Sequence, residues 1–303
     1  MDTRVLPFSA KSIAEAARLI VAGEPVAVPT ETVYGLAADA TNARAVARIY
    51  EAKGRPAFNP LIVHVPDLAA ARMIGDFSGK ALALAGEHWP GPLTLVVPLR
   101  SDAQIASLVT AGLGSVGLRV PDHPAMQALL RASGRPLAAP SANSSGSISP
   151  TRAAHVLKSL GGRIPLIIDG GPTSRGIEST IVAATEGKLR LLRRGPVEVA
   201  AEPVSGSKIE APGQLSSHYA PSKPLRLDAS SAQADEYLIG FGNIEGDASL
   251  SRSGDLVEAA SRLFDLLHEA DASPRPRIAV APVPAQGLGA AINDRLQRAA
   301  ADR

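Results

Sequence analysis

Short apolar runs that stop at compact polar clusters, with helix-period segments between them, constrain this chain most. Residues 25–29, 61–65, 93–98, 116–120, 137–139, 166–169, 179–183 and 189–193 are rich in Val, Leu, Ile and Ala. All are too short for typical helices and read as strands. Residues 12–21, 43–52, 124–132 and 151–160 carry apolar side chains at helical spacing, and the first of these stops at Gly23. Strands interleaved with helices bury their apolar faces as layers, so an α/β sheet covered by helices is expected. Aromatic residues make up only 3% of the chain, which leaves the core to Val, Leu, Ile and Ala.

The composition changes near Glu202. Residues 202–223 are rich in Pro, Ser and Gly and read as a linker. Beyond them, 237–241 and 277–282 read as strands, and 254–269 and 289–301 as helices. The expected organisation is a main domain over 1–201, a linker over 202–223 and a small α/β domain over 224–303.

The chain of 303 residues has no cysteine, which excludes disulfides, thiolate zinc sites and a cysteine nucleophile. The opening Met1-Asp2-Thr3-Arg4 lacks the basic-then-apolar pattern of a signal peptide. No apolar run reaches the roughly 18–20 residues needed to span a bilayer. A cytoplasmic protein without membrane contact is the expectation. Residues 224–303 hold 8 Lys/Arg against 12 Asp/Glu, while the first 223 hold 23 against 17. That basic excess suits an anionic ligand such as a nucleotide and is thin for a nucleic-acid surface.

Six polar clusters follow or flank the strands. Pro29-Thr30-Glu31-Thr32-Val33-Tyr34-Gly35-Leu36 follows the first, and strand-end loops are where α/β sheets bind ligands. Lys53-Gly54-Arg55-Pro56, with Asn59-Pro60 behind it, holds two cations in one rigid turn. Such cations could grip phosphate or carboxylate, or simply stabilise a helix end. His64, taken alone, reads as a hydrogen-bonded core histidine. Arg119, inside the apolar segment Ser115-Val116-Gly117-Leu118-Arg119-Val120, needs an anion. Either an internal carboxylate or a bound substrate carboxylate would serve. Ala139-Pro140-Ser141-Ala142-Asn143-Ser144-Ser145-Gly146, with Ser147 and Ser149 close behind, offers small donors that let a backbone approach phosphate. Gly176-Ile177-Glu178-Ser179-Thr180 and Leu192-Arg193-Arg194-Gly195-Pro196 complete the set.

No Walker A sequence, Rossmann glycine fingerprint, His-Glu-x-x-His zinc motif or Gly-x-Ser-x-Gly elbow occurs. A nucleotide pocket in this chain must therefore be of a less common kind.

In their order along the chain, several segments together resemble the YrdC family. They are Pro-Thr-Glu-Thr-Val-Tyr-Gly-Leu (29–36), Lys-x-Arg-Pro (53–56), Asn-Pro-Leu (59–61), Trp-Pro-Gly-Pro-Leu-Thr (89–94), Arg-Val-Pro-Asp-His-Pro (119–124), Ser-x-Asn (141–143) and Glu-Ser-Thr (178–180). The resemblance spans roughly residues 10–200. His218-Tyr219-Ala220-Pro221 is similar to the segment that leads to a second domain in the longer, two-domain members. The resemblance implies a twisted mixed sheet with helices, a YrdC-like catalytic domain with a deep positive cavity, and a small Rossmann-like α/β domain after it. It implies that Thr32, His64, Arg119 and Ser179 hold threonine, with Ala139 contributing its backbone. Lys53, Arg55, Asn59, Ser115, Ser141, Asn143, Ser149 and Arg193 would surround ATP, with Lys53 and Arg55 neutralising charge and Tyr219 folding over the pocket. Arg194 stands where the family more often has Pro, and the motif's arginine is assigned to Arg193.

The implied reaction joins L-threonine, bicarbonate and ATP into threonylcarbamoyl-adenylate and diphosphate. The product would pass to a transferase that modifies tRNA. Mg²⁺ is expected on the phosphates, held by ATP and water rather than by protein side chains. Two other expectations compete with this one. A carbamoyl-adenylate former would carry extra zinc-binding and acyl-phosphatase-like segments that this cysteine-free chain lacks. An RNA-binding module using the same basic cavity would need a broader basic surface.

Overall fold

A computed structural model of the chain describes residues 2–56, 58–185, 187–203, 210–212 and 218–301. Two stretches of the expected linker, 204–209 and 213–217, lie outside the described residues.

The larger sheet is mixed. Its order is Arg4–Pro7, Leu166–Asp169, Val26–Pro29, Tyr34–Asp39, Leu137–Ala138, Ile62–His64, Ser115–Arg119, Leu93–Pro98, Thr180–Ala183, Arg190–Arg193 and Glu202–Pro203. Val26–Pro29 is buried at every position, as an unbroken apolar run requires when both sheet faces are covered. One face packs on Ile13, Ile20, Met126 and Leu129, which the helices Ala10–Val21 and Pro124–Ser133 supply. The other face packs on Val46, Ile49, Val156 and Leu160, from the helices Ala43–Lys53 and Ala153–Leu160. Ser9 and Ser12 form a capping box at the start of the first helix, and Asn42 caps Ala43–Lys53. Gly54 ends that helix in the left-handed region at φ 60°. No atom crowds it, so backbone strain is what favours glycine there. The chain then turns sharply into Arg55.

Three strands of the larger sheet go beyond the sequence expectation, and one of them, Glu202–Pro203, opens the stretch read as a linker. Residues 29–36 read as one polar loop, yet the polar turn is confined to 30–33. Tyr34–Asp39 returns as a second, fully buried strand antiparallel to Val26–Pro29, with Val28 opposite Gly35. Its Gly- and Ala-rich sequence has neither alternation nor β-branching, so neither signal marks it. Arg4–Pro7 pairs parallel with Leu166–Asp169 at the sheet edge and is equally unmarked.

The second sheet is small and parallel, in the order Leu225–Arg226, Arg277–Val280, Glu236–Gly240, Ala248–Ser249. Helices Leu256–Ala272 and Leu288–Ala300 pack with it through Leu263, Phe264, Ile292 and Leu296. This core does not stop at the second sheet. Val33, Ile148, Ile177 and Tyr219 belong to the same buried cluster, so the small sheet and its helices seat directly on the loops above the large one.

The seam is polar where it meets solvent. Arg152 grips Asp265 through two bonds of 2.7 and 2.8 Å. His155 stacks on His268 with centroids 3.8 Å apart, and His268 Nε2 lies 3.1 Å from the Ser149 carbonyl. Gly176 lies close against the backbone of helix Leu256–Ala272. At φ 69°, any Cβ there would lie 2.4 Å from the Ser261 carbonyl oxygen.

Candidate active site

The loops at the strand ends surround a cavity. Thr30, Thr32, His64, Arg119, Ala139, Ser141, Glu178, Ser179 and Arg193 line it together with Arg55, His218 and Tyr219. Its lining includes three arginines and one glutamate, so basic side chains outnumber acidic ones on the wall.

Thr30 shapes the first loop. Its hydroxyl accepts from the backbone NH of Thr32 at 3.2 Å and donates to the Val33 carbonyl at 2.7 Å, which closes the hairpin turn. Thr32 Oγ1 then accepts from Arg119 Nη1 at 3.0 Å. Arg119 also donates to Glu31 Oε1 at 2.6 Å and, more weakly, to the Gly91 carbonyl. The internal anion that a buried Arg119 required is therefore Glu31, while the guanidinium still faces the cavity. His64, on the neighbouring strand, also lines the cavity. Its Nδ1 is buried with no partner among the described residues. Burial, reinforced by Arg119, lowers its pKa to about 3, so it is neutral near pH 7.

Arg55 and Arg193 form the other cationic wall. Arg55 is braced by the carbonyls of Asn59 and Pro60, at 3.2 and 3.0 Å. Burial lowers its pKa to about 10, which leaves it charged near neutral pH. Arg193 donates from Nε to the Ser179 carbonyl and from Nη2 to its hydroxyl, at 3.0 and 3.1 Å. Ser179 Oγ also lies 2.8 Å from Thr94 Oγ1. Arg193 lines the cavity, and Arg194 lines a neighbouring pocket.

Tyr219 closes the top. It is 1% exposed, adopts φ 64° and packs on Phe264 at 5.5 Å, with its hydroxyl buried and unpartnered among the described residues. Ala220 donates to the Gly146 carbonyl and so pins this end of the linker to the Ser/Asn loop.

Five expected ATP-side residues do not line this cavity. Lys53 is fully committed elsewhere: its ammonium donates to the backbone carbonyls of Ser141 and Asn143. Burial, with Arg55 and Arg163 nearby, lowers its pKa well below the lysine range. It braces the loop rather than reaching the pocket, because a buried ammonium takes the nearest available acceptors. Asn143 donates to the Ser144 and Ser147 carbonyls, and Ser149 donates to Glu178. The side-chain oxygens of Asn59 and Asn143 are buried without partners among the described residues. Ser115 lines a smaller adjoining cavity with Thr94, Gly117 and Pro212.

Glu31, Glu178 and His218 were quoted within sequence motifs but given no role, and the structure sets all three at or against the cavity. Burial alone would raise the Glu178 carboxyl, yet Arg295, Arg193 and Ser149 outweigh it and hold the pKa below its ordinary value. Arg295 had a signal of its own, as an arginine on an otherwise apolar helix stripe.

Comparisons with known proteins agree with this architecture. Residues 18–195 match the family model of Sua5, YciO and YrdC proteins, described as telomere recombination. Residues 174–301 match that of the threonylcarbamoyl-AMP synthase C-terminal domain. A threonylcarbamoyl-AMP synthase of Bacillus subtilis (strain 168) is 41% identical, over 96% of this chain and 93% of its own. One from Pyrococcus abyssi is 38% identical, over 95% and 94%. A crystal structure of P. abyssi Sua5 complexed with L-threonine superposes with a TM-score of 0.89 at 35% identity, covering 99% of this chain and 98% of that one. E. coli YciO, at 20% identity and a TM-score of 0.57, shares the fold over 66% of this chain. The chain therefore belongs to the Sua5/YciO/YrdC family, in the two-domain form that carries the threonylcarbamoyl-AMP synthase C-terminal domain.

Proposed function

We propose that this protein is an L-threonylcarbamoyladenylate synthase, a nucleotidyltransferase acting on L-threonine, bicarbonate and ATP. The observation that carries it is a cavity with Arg55, Arg119 and Arg193 on its walls, in a chain that superposes over 99% of its length on a relative complexed with L-threonine.

Threonine and bicarbonate first combine, with loss of water, into the N-carboxylate. One of its oxygens then attacks the α-phosphorus of ATP. The bond from that phosphorus to the bridging oxygen breaks, and diphosphate leaves. Both reactants are anionic, so the protein must neutralise and align them, and no protein nucleophile is required. In this reading Arg119 meets the threonine carboxylate, with Thr32, Ser179 and the neutral His64 around the rest of the amino acid and the Ala139 backbone alongside. Arg55, Arg193 and Ser141 face the phosphates, and Asn59, Ser115, Asn143 and Ser149 shape the nucleotide side. Lys53 contributes by holding the 141–143 loop. Mg²⁺ arrives on the phosphates as part of the ATP substrate.

The proposed division is a catalytic domain over 1–201, a linker over 202–223 and a covering domain over 224–303. No helix among the described residues is long and apolar enough to cross a membrane. The reaction would sit in the cytoplasm, beside the tRNA threonylcarbamoyl transferase that consumes the adenylate.

Purified protein should convert ATP to AMP and diphosphate only when threonine and bicarbonate are both present. Equal turnover without threonine would overturn the proposal. Tight, steeply salt-dependent RNA binding without turnover would favour the RNA-binding alternative instead.

A further inference from the structure

On helix Leu288–Ala300 the buried positions are Gly289, Ala291, Ile292, Arg295, Leu296 and Ala299. An arginine thus occupies a slot that the helical period assigns to core, and it is fully buried. A guanidinium in such a place is retained only with anionic partners. Arg295 Nε donates to Glu178 Oε2 at 3.0 Å, and Nη1 donates to Asp294 Oδ2 at 2.8 Å. Nη2 has no hydrogen-bond partner among the described residues. The Arg295 Cζ lies 5.4 Å from the centroid of the Tyr219 ring, within cation–π range.

Glu178 and Tyr219 both line the cavity, although Arg295 comes from the opposite side of the seam. An uncompensated carboxylate in that wall would repel phosphates and carboxylates across a region of low dielectric. The two Glu178 oxygens are instead taken separately, one by Ser149 and one by Arg295. Arg119 does the same for Glu31 from within the large sheet.

We infer, given the substrates proposed above, that Arg295 is a positioning residue for adenylate formation: it neutralises Glu178 and backs the Tyr219 ring, keeping the cavity attractive to anions. The second domain thereby completes the charge of the site as well as covering it.

Wild type, R295M, E178Q and R295M/E178Q are to be compared by ATP binding in calorimetry and by diphosphate release. Wild-type release that needs both threonine and bicarbonate establishes the reaction. Its absence removes the proposed function, while ATP binding still decides the role of Arg295. R295M is expected to weaken ATP binding and raise the KM for ATP about tenfold or more, with a smaller change in kcat, as orphaning one member of a buried ion pair does. Adding E178Q should recover most of that loss. Unchanged ATP affinity in folded R295M, or a loss that E178Q leaves in place, overturns the inference. The E178Q protein with Arg295 intact needs no tolerance of change at 295 and is expected to bind ATP at least as well as wild type. Weaker binding there also overturns it.

Discussion

Arg119 Nη2 and Glu31 Oε1 lie 2.6 Å apart, and both side chains are almost completely buried at the cavity wall. The pair answers a constraint visible in the sequence, an arginine inside an apolar strand. Removing one member leaves the other as a buried charge, at a cost of roughly 3–5 kcal/mol. Arg119→Ala should therefore lower the unfolding free energy by an amount in that range, read from denaturant titration as a lower midpoint at an unchanged slope, and abolish threonine-dependent diphosphate release. A folded R119A protein with wild-type threonine KM would show that another group meets the substrate carboxylate.

Tyr219 separates packing from hydrogen bonding. Its ring packs against Phe264 while its hydroxyl has no partner among the described residues. Tyr219→Phe should change stability by less than about 1 kcal/mol, because it deletes a group that is already unsatisfied. Any rise in the KM for ATP in that variant would then report a bond from the hydroxyl to the ligand. Tyr219→Ala opens the roof and should speed loss of the adenylate, measured as its half-life on the enzyme after rapid gel filtration. Retention equal to wild type would reduce this end of the linker to a tether.

Gly176 brings the Glu178 loop against helix Leu256–Ala272. Its positive φ and the 2.4 Å approach to the Ser261 carbonyl leave no room for a side chain. Gly176→Ala should cost about 1–3 kcal/mol through backbone strain and displaced contacts. Thermal melting and limited proteolysis across 202–223 would show this as a lower Tm and faster cutting. An unchanged Tm would mean that the seam yields at little cost.

Acid should loosen the molecule through its histidines. Burial holds the pKa of His64, His218 and His268 at about 3 and that of His155 at about 4, against an ordinary value of 6.5. The unfolded chain binds these protons near pH 6.5, whereas the folded chain binds them only near pH 3–4. Their contribution to stability is complete above about pH 6.5 and falls as the pH drops toward 4. The slope is up to about 1.4 kcal/mol per pH unit for each histidine. Urea titrations between pH 7.5 and 4.5 would measure it. A flat profile would show that these rings titrate alike in the folded and unfolded chain.

The division between sequence and structure runs along the range of the interactions. Strands such as Leu93–Pro98 and helices such as Leu256–Ala272 were legible because burial stamps a local period on the chain. The clusters around Thr32, Arg55, Ser141 and Ser179 were legible as chemistry, since small donors and cations gather where strands end. Tyr34–Asp39 was not, because a Gly- and Ala-rich strand is specified by its neighbours in the sheet rather than by its own side chains. Sequence also could not say which polar residues face the cavity. Lys53 meets carbonyls 88 and 90 residues away, and Arg295 meets a carboxylate 117 residues away. Such pairings leave no trace in local spacing. Only the tertiary fold, by deciding which acceptor lies within reach of each buried charge, set Lys53 on the carbonyls of the 141–143 loop and Arg295 behind Glu178.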